Sequence, residues 1–266
     1  MKELIEIAKK YSSQSSFYNI YSAYKEQLIG NISIPNPLLI VVLEGKKIIG
    51  NEIDYEVTEG NFLFLPAVQK INMRNIPSQN LYFAVLIEFE QDDFNFLLER
   101  KSSLNSYIKG DVDDILKISL KQFIEFSATA PSELVKNRRK EFLELLYDKG
   151  YIDIGSLTSL STITLEVQKI LETDLEYNWS ADRVAKKLNL SESTLRRKLH
   201  LENNNFYEVK RKIRLNYGLF LIQTTYLDLG EISVKCGYQS QSRFTDQFKK
   251  LFGLTPTALR KTRMTN

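Results

Sequence analysis

The sequence predicts an α+β chain of more than one domain. An N-terminal β domain, barrel or sandwich, leads into helices, and an all-α domain follows with two helix-turn-helix units joined by a long linker helix. Three observations carry this. Short alternating strands separated by glycine turns run to about residue 90. Helical periodicity takes over from about Asp92. The last third of the chain combines an internal repeat with an excess of positive charge.

Residues 2–11 read as a short leading helix. LLIVVL (38–43) is followed by Gly45, then KKII, the turn-prone pair Gly50-Asn51, and IDYEV, in which Ile53, Tyr55 and Val57 alternate. Gly60-Asn61 marks another turn before FLFLP, and LYFAVLIEF (81–89) is a long further strand. The helical stretch is marked by Leu97 and Leu98, by Ile115, Leu116, Leu120, Phe123 and Ile124, and by Phe142, Leu143, Leu145 and Leu146. GSLTSLSTIT (155–164) has neither charge nor clear periodicity and sits where the composition shifts, so it reads as a linker. The expected domains are 1–154, the linker 155–165, and 166–266.

The apolar fraction of 43% and charged fraction of 26% are those of a soluble globular protein. No apolar run could span a bilayer and the first residues lack a signal-peptide pattern, so no membrane partner and a cytoplasmic location are expected. The single cysteine, Cys236, excludes an internal disulfide. The single histidine, His200, argues against multi-histidine metal sites and a Ser-His-Asp triad, so neither a metal, a cofactor nor enzymatic activity is expected. Residues 1–165 hold 18 Lys and Arg against 22 Asp and Glu, a net of −4; residues 166–266 hold 18 against 11, a net of +7. Positive charge concentrated in one compact domain favours a polyanionic partner.

Within the basic part, VAKKLNLSESTLRRKL (184–199) repeats as ISVKCGYQSQSRFTDQF (232–248). Each copy opens on a β-branched and a small residue, Val184-Ala185 or Ile232-Ser233. Four residues after the small one comes a residue that tolerates positive φ, Asn189 or Gly237, then an apolar one, Leu190 or Tyr238. An apolar i,i+4 pair closes each copy, Leu195/Leu199 or Phe244/Phe248, and the second copy has one extra residue in its turn. This is the pattern of a helix-turn-helix: the small residue lets two helices cross, and the apolar pair anchors the second so that its other face stands clear. The connecting helix, Phe206 to about Thr224, would be roughly 28 Å long at ~1.5 Å per residue. That suits two reading helices about one groove repeat (~34 Å) apart. It carries Lys210, Arg211, Lys212 and Arg214, which the spacing places near passing phosphates.

Residues 166–262 resemble the DNA-binding domain of the AraC/XylS family. The resemblance rests on Ile232, Gly237, Tyr238, Ser242, Phe244, Phe248, Lys249, Phe252, Gly253 and Pro256, at the family's spacings. Departures are Ser233 for the usual Ala, Gly218 where the linker helix usually has Ala, and Arg243 for a common Tyr. The N-terminal part, through PLLIVVLEGKK (37–47) and EGNFLFLPA (59–67), is similar to the family's cupin-like β-barrel sensor, and RRKEFLELLYDKG (138–150) to its dimerising helices. The resemblance implies a transcription regulator, more an activator than a repressor, that binds double-stranded promoter DNA. It implies a homodimer through helices in 111–150, contact with RNA polymerase, and a small-molecule or protein effector. A metal-dependent cupin enzyme is the rival reading, opposed by the lack of histidine before position 200; an interaction protein without DNA binding is the third.

The helical projection and the family's pattern together select candidates for reading. Base contacts are expected from Ser193, Arg196 and Arg197 on the first reading helix and Gln241, Ser242, Thr245 and Asp246 on the second. An arginine can bond guanine O6 and N7 together, and Asp246 would have to accept from a cytosine N4 or pair with Lys249 or Lys250. Phosphate contacts are expected from Thr194, His200, Lys210, Arg211, Arg214, Arg243 and Lys249. In the N-terminal domain the ligand-lining candidates are Tyr24, Tyr55, Phe62, Phe64 and Tyr82, with Lys46, Lys47 and Arg74 for an acidic ligand; plain core and exposed hairpin lysines are the competing account.

Overall fold

The computed structural model of the chain describes residues 1–50, 54–90, 92–94, 107–151 and 162–263. These divide into two compact units: Met1–Leu28, Asn36–Ser159 and Thr262–Asn266 in one, Ile29–Pro35 and Leu160–Lys261 in the other.

The leading helix α1 (Lys2–Tyr11) buries Leu4, Ile5 and Ala8 on one face. Strands β1 (Asn19–Ala23), β2 (Gln27–Ile34), β3 (Leu38–Glu44), β4 (Lys46–Gly50), β5 (Asp54–Thr58), β6 (Asn61–Leu65), β7 (Val68–Ile76), β8 (Tyr82–Glu88) and β9 (Ile108–Asp111) follow. They form two sheets, ordered β1-β8-β3-β6-β9 and β2-β7-β4-β5. Among the described residues the strands thus form two sheets and not the barrel that the cupin-like resemblance implies, one of the two arrangements that the strand spacing left open. The reason lies at two glycines. Gly45 (φ +80) carries the chain from β3 in the first sheet to β4 in the second, and Gly60 (φ +81) brings it back from β5 to β6. Both are sheet-switching corners where local patterning suggested hairpin turns. At Gly45 a Cβ would lie 2.7 Å from the Ile76 carbonyl oxygen, so only glycine fits.

β3 is buried at every residue from Leu38 to Leu43, as a central strand covered on both faces must be. Its Leu39, Val41 and Leu43 join Phe62, Phe64, Val85 and Ile87 in one core with Leu4, Leu116, Phe123 and Phe142. The last three belong to α2 (Asp114–Ser127) and α3 (Ser132–Asp148). Asp113 caps α2 by accepting the Leu116 N–H at 2.9 Å. The helical marks at Leu97 and Leu98, and most of the expected linker, lie outside the described residues.

The C-terminal helices are α4 (Ile163–Glu172), α5 (Ala181–Lys187), α6 (Glu192–Leu201), α7 (Phe206–Thr224), α8 (Leu229–Lys235), α9 (Gln241–Phe252) and α10 (Pro256–Arg260). Polar residues mark the starts. Ser180, Ser191, Asn205, Ser240 and Thr255 each accept a backbone N–H three residues on. At α8 the Glu231 carboxylate accepts the Asp228 N–H at 2.9 Å. Gly253, in the left-handed conformation at φ +86, ends α9.

Candidate nucleic-acid interface

The helix pairs α5–α6 and α8–α9 turn in the same way. Asn189 (φ 54) and Gly237 (φ 72) hold the positive φ that the repeat demands. In each pair the residue at positive φ donates three residues back, Asn189 to the Lys186 carbonyl and Gly237 to that of Val234. The next residue donates five back to the small residue at the helix crossing, Leu190 to Ala185 and Tyr238 to Ser233, both at 2.9 Å. The extra residue of the second copy, Gln239, falls after this shared motif and before the Ser240 cap.

The second helix of each pair is held by its apolar pair. Leu195, Leu199, Phe244 and Phe248 are fully buried. Leu195 and Leu199 pack with Val184, Ala185, Val209 and Ile213, whereas Phe244, Phe248 and Phe252 form a ladder of rings with centroids 5.6 and 4.6 Å apart. The outward arcs then carry the polar candidates. Ser193, Arg196, Arg197 and His200 are exposed on α6, as are Gln241, Ser242, Arg243, Asp246 and Lys249 on α9; Thr194 and Thr245 are half-buried. Arg196 is held by Glu192 one turn back, at 2.6 Å, while Arg197 forms no ion pair with a described residue. No ion pair joins Asp246 to Lys249 or Lys250.

Lys210, Arg211 and Arg214 of α7 are half-buried and each has a partner within the domain. Lys210 donates to Asn178 Oδ1 at 2.9 Å and to the Trp179 carbonyl at 2.7 Å. Arg211 is paired with Glu208 at 2.6 Å, its side chain mostly covered. Arg214 donates to the carbonyls of Gly237 and Tyr177, both at 3.1 Å. All three are thus engaged by partners within the domain, where α7 is packed against neighbours on several sides. Burial, with the nearby Arg214 charge adding to it, brings the Lys210 ammonium down to about 8, and burial lowers Arg214 as well.

The ligand candidates of the first unit also sort themselves. Lys46 pairs with Glu56 at 3.3 Å and Arg74 with Glu26 at 2.5 Å, both part-exposed on the sheet exterior. Phe62 and Phe64 are buried, with rings against Tyr151 and against Phe89 and Phe94. Tyr55 is half-buried and stacks edge-on against Tyr107 at 4.7 Å, and Tyr24 is half-buried. Tyr82 is the candidate that the structure makes distinctive. It is wholly buried, and its hydroxyl has no hydrogen-bond partner among the described residues.

Beside it lies Lys47, which the sequence offered with Lys46 and Arg74 for an acidic ligand, against the competing account of an exposed hairpin lysine. Lys47 is 1% exposed, its ammonium 5.5 Å from the centre of the Tyr82 ring. It donates to Asn75 Oδ1 at 2.6 Å, and Asn75 Nδ2 donates to Gln27 Oε1 at 2.8 Å. No described carboxylate forms an ion pair with Lys47, and burial brings its ammonium down to about 7. The signal was present: on a strand, Lys47 shares its face with the buried Ile49, and Lys46 must point the other way.

Residues 184–262 match a protein-family model described as a helix-turn-helix domain. The regulator AdiY of Escherichia coli (strain K12) is 28% identical over 132 residues, 48% of this chain and 52% of that protein. The chain thus spans about half the length of that relative. The transcriptional activator PerA of E. coli O127:H6 is 26% identical over 218 residues, 76% of each chain. Among solved structures, ToxT from Vibrio cholerae is similar with a TM-score of 0.66 at 16% identity, over 93% of this chain and 98% of that one. Its complex with an unsaturated fatty acid gives a TM-score of 0.63 at 15% identity, over 93% of this chain and 95% of that one. This likeness establishes a shared fold, a β-rich N-terminal part followed by helices. With the paired turns, the matched positions and these relatives together, the C-terminal region is an AraC-type helix-turn-helix domain.

Proposed function

We propose that the chain is a transcription regulator that binds specific double-stranded promoter DNA through two helix-turn-helix units, α5–α6 and α8–α9. The observation that carries this reading is anchor and exposure on the same helix. On both α6 and α9 a buried i,i+4 pair fixes the helix while a polar arc stands in solvent. On that reading Arg196, Arg197, Gln241, Ser242 and Thr245 reach base edges, and Asp246, free of its lysine neighbours, accepts from a cytosine N4. Thr194, His200, Arg243 and Lys249 hold phosphates. Selection from a random duplex pool tests it: two short blocks about one helical turn apart are expected, with affinity falling steeply as salt rises. A chain that enriches no sequence overturns the reading.

The relatives described as regulators support this assignment, and PerA, described as an activator, favours activation and hence contact with RNA polymerase in a bacterial cytoplasm. The proposed domains are a sensing and dimerising part at 1–154, a linker at 155–165 and the DNA-binding part at 166–266. Ile115 and Ile118 on α2 (each 56% exposed) and Leu134 on α3 (50%) leave apolar surface for a second copy of the chain. An Ile118→Asp variant that sediments as the parent does would exclude that face.

The effector reading rests on Lys47 and Tyr82. A buried ammonium without a carboxylate partner among the described residues, next to a hydroxyl unsatisfied among them, suits an anionic headgroup, and the fatty acid named for ToxT is a ligand of that class. Adding a long-chain carboxylic acid should raise the melting temperature of the parent and not of Lys47→Met. Equal shifts in both would place the ligand elsewhere.

A further inference from the structure

We infer that Arg214 sets the spacing between the two reading helices, as a positioning residue and not as a DNA contact. The inference rests on the reading of α6 and α9 given above. Apolar packing holds each helix pair to α7 at a different place. The first pair packs on Phe206, Val209 and Ile213. The second meets α7 at Gly218, so close that a Cβ there would stand 2.7 Å from the Phe244 ring. Packing of that kind is not directional, and alone it lets either pair roll on the helix.

Arg214 lies between these two footings and reaches both pairs with one planar group. Its Nη1 donates to Gly237 in the α8–α9 turn, and its Nη2 to Tyr177 in the segment that enters α5. The guanidinium fixes the angle between its donors, so the two carbonyls it holds are fixed relative to each other. The turn itself presses on the same segment. A Cβ on Gly237 would meet Arg214 Nη2 at 2.4 Å and the Leu175 carbonyl at 2.6 Å. Glycine is therefore required at 237 for space as well as for its φ of +72. Lys210, one turn earlier on α7, pins the segment at Asn178 and Trp179. With both terminal nitrogens engaged and its side chain half-buried, Arg214 is held inside the domain, and turning its fork to a phosphate would break these bonds.

The test uses the full chain with spin labels at Lys198→Cys on α6 and Lys250→Cys on α9, both exposed positions. Cys236 is buried, which pushes its thiol up to about 12 and keeps it unlabelled. Pulsed electron resonance should give one narrow distance distribution in the Arg214 parent. It should broaden or split in Arg214→Lys, which keeps the charge but lacks the planar fork that fixes the angle between two donors, and in Arg214→Met. Duplexes selected by the parent, with one base pair inserted between the blocks, should bind the parent at least about tenfold more weakly, but the variants only about threefold more weakly. A general loss of stability would leave that ratio unchanged. Equal distance widths together with equal spacing penalties overturn the inference. If the parent selects no duplex, the DNA-binding reading fails, while the distance measurement still decides the role of Arg214.

Discussion

Arg196 and Arg197 are neighbours on α6 with different starting states, since Glu192 clasps the first and the second extends into solvent. A bidentate contact to guanine discriminates by ~1–3 kcal/mol, and Arg197 can make one without first breaking an ion pair. Arg197→Ala should therefore weaken binding to a selected duplex by roughly 10- to 100-fold, more than Asp246→Ala does. A larger loss from Asp246→Ala in a fluorescence titration would show that the second pair dominates recognition. Lys47 makes a different prediction. Its folded value near 7 lies below the ordinary 10.5, so between those pH values the unfolded chain holds a proton that the folded one has released. Stability should then rise with pH across that window, by up to ~1.4 kcal/mol per unit for this one proton, and be indifferent to Lys47 titration below about pH 7. Chemical denaturation of the parent and Lys47→Met from pH 6 to 10 reads the difference; identical slopes would mean that the ammonium is not buried in solution. Residue by residue, legibility followed the environment. The exposed arcs of α6 and α9 could be read from a helical projection because one face of each helix is apolar. The internal partners of Lys210, Arg211 and Arg214 could not, because α7 buries residues around much of its circumference and no single stripe separates inside from outside.

Among elements, α7 shows where helix propensity and packing disagree. Propensity alone says that Gly218 costs the helix up to ~1 kcal/mol relative to Ala. In the structure a Cβ at 218 would stand 2.7 Å from the Phe244 ring and 3.2 Å from Cys236 Sγ. The ring belongs to the stack that anchors α9, so it cannot simply swing away. Gly218→Ala should therefore destabilise by ~1–3 kcal/mol despite the better helix former. Combining it with Phe244→Leu should recover part of that loss, a coupling that a double-mutant cycle in urea would measure. Independent, additive effects would place the clash elsewhere. The same contrast separates the two halves of the sequence. The helix pairs were legible down to the residue at positive φ, because turn, cap and anchor all lie within about twenty residues of chain. The sheet to which each strand belongs was not, because Gly45 and Gly60 look like hairpin turns in any local window. Which strand each segment joins is decided by partners far away, as β3 with β8 and β4 with β7.

For the whole molecule, the charge division of −4 and +7 set the expectation of a polyanion partner. A sum of charges does not say which cations are free to meet phosphates. Three of the basic residues in α7 are occupied inside the domain, whereas Arg243 and Lys249 are exposed on α9. Salt dependence distinguishes the groups, because each phosphate neutralised releases condensed counterions and contributes about −0.9 to the slope of log K against log salt. Neutralising a phosphate-bound cation should make the slope shallower by about that amount. Neutralising an internal one changes affinity through structure and leaves the slope as it was. Arg243→Gln and Lys249→Gln should thus each flatten the line, while Arg211→Gln, whose partner is Glu208, should shift it in parallel. A flattened line for Arg211→Gln would mean that Arg211 leaves Glu208 for the backbone when DNA binds, and that α7 itself lies along the duplex.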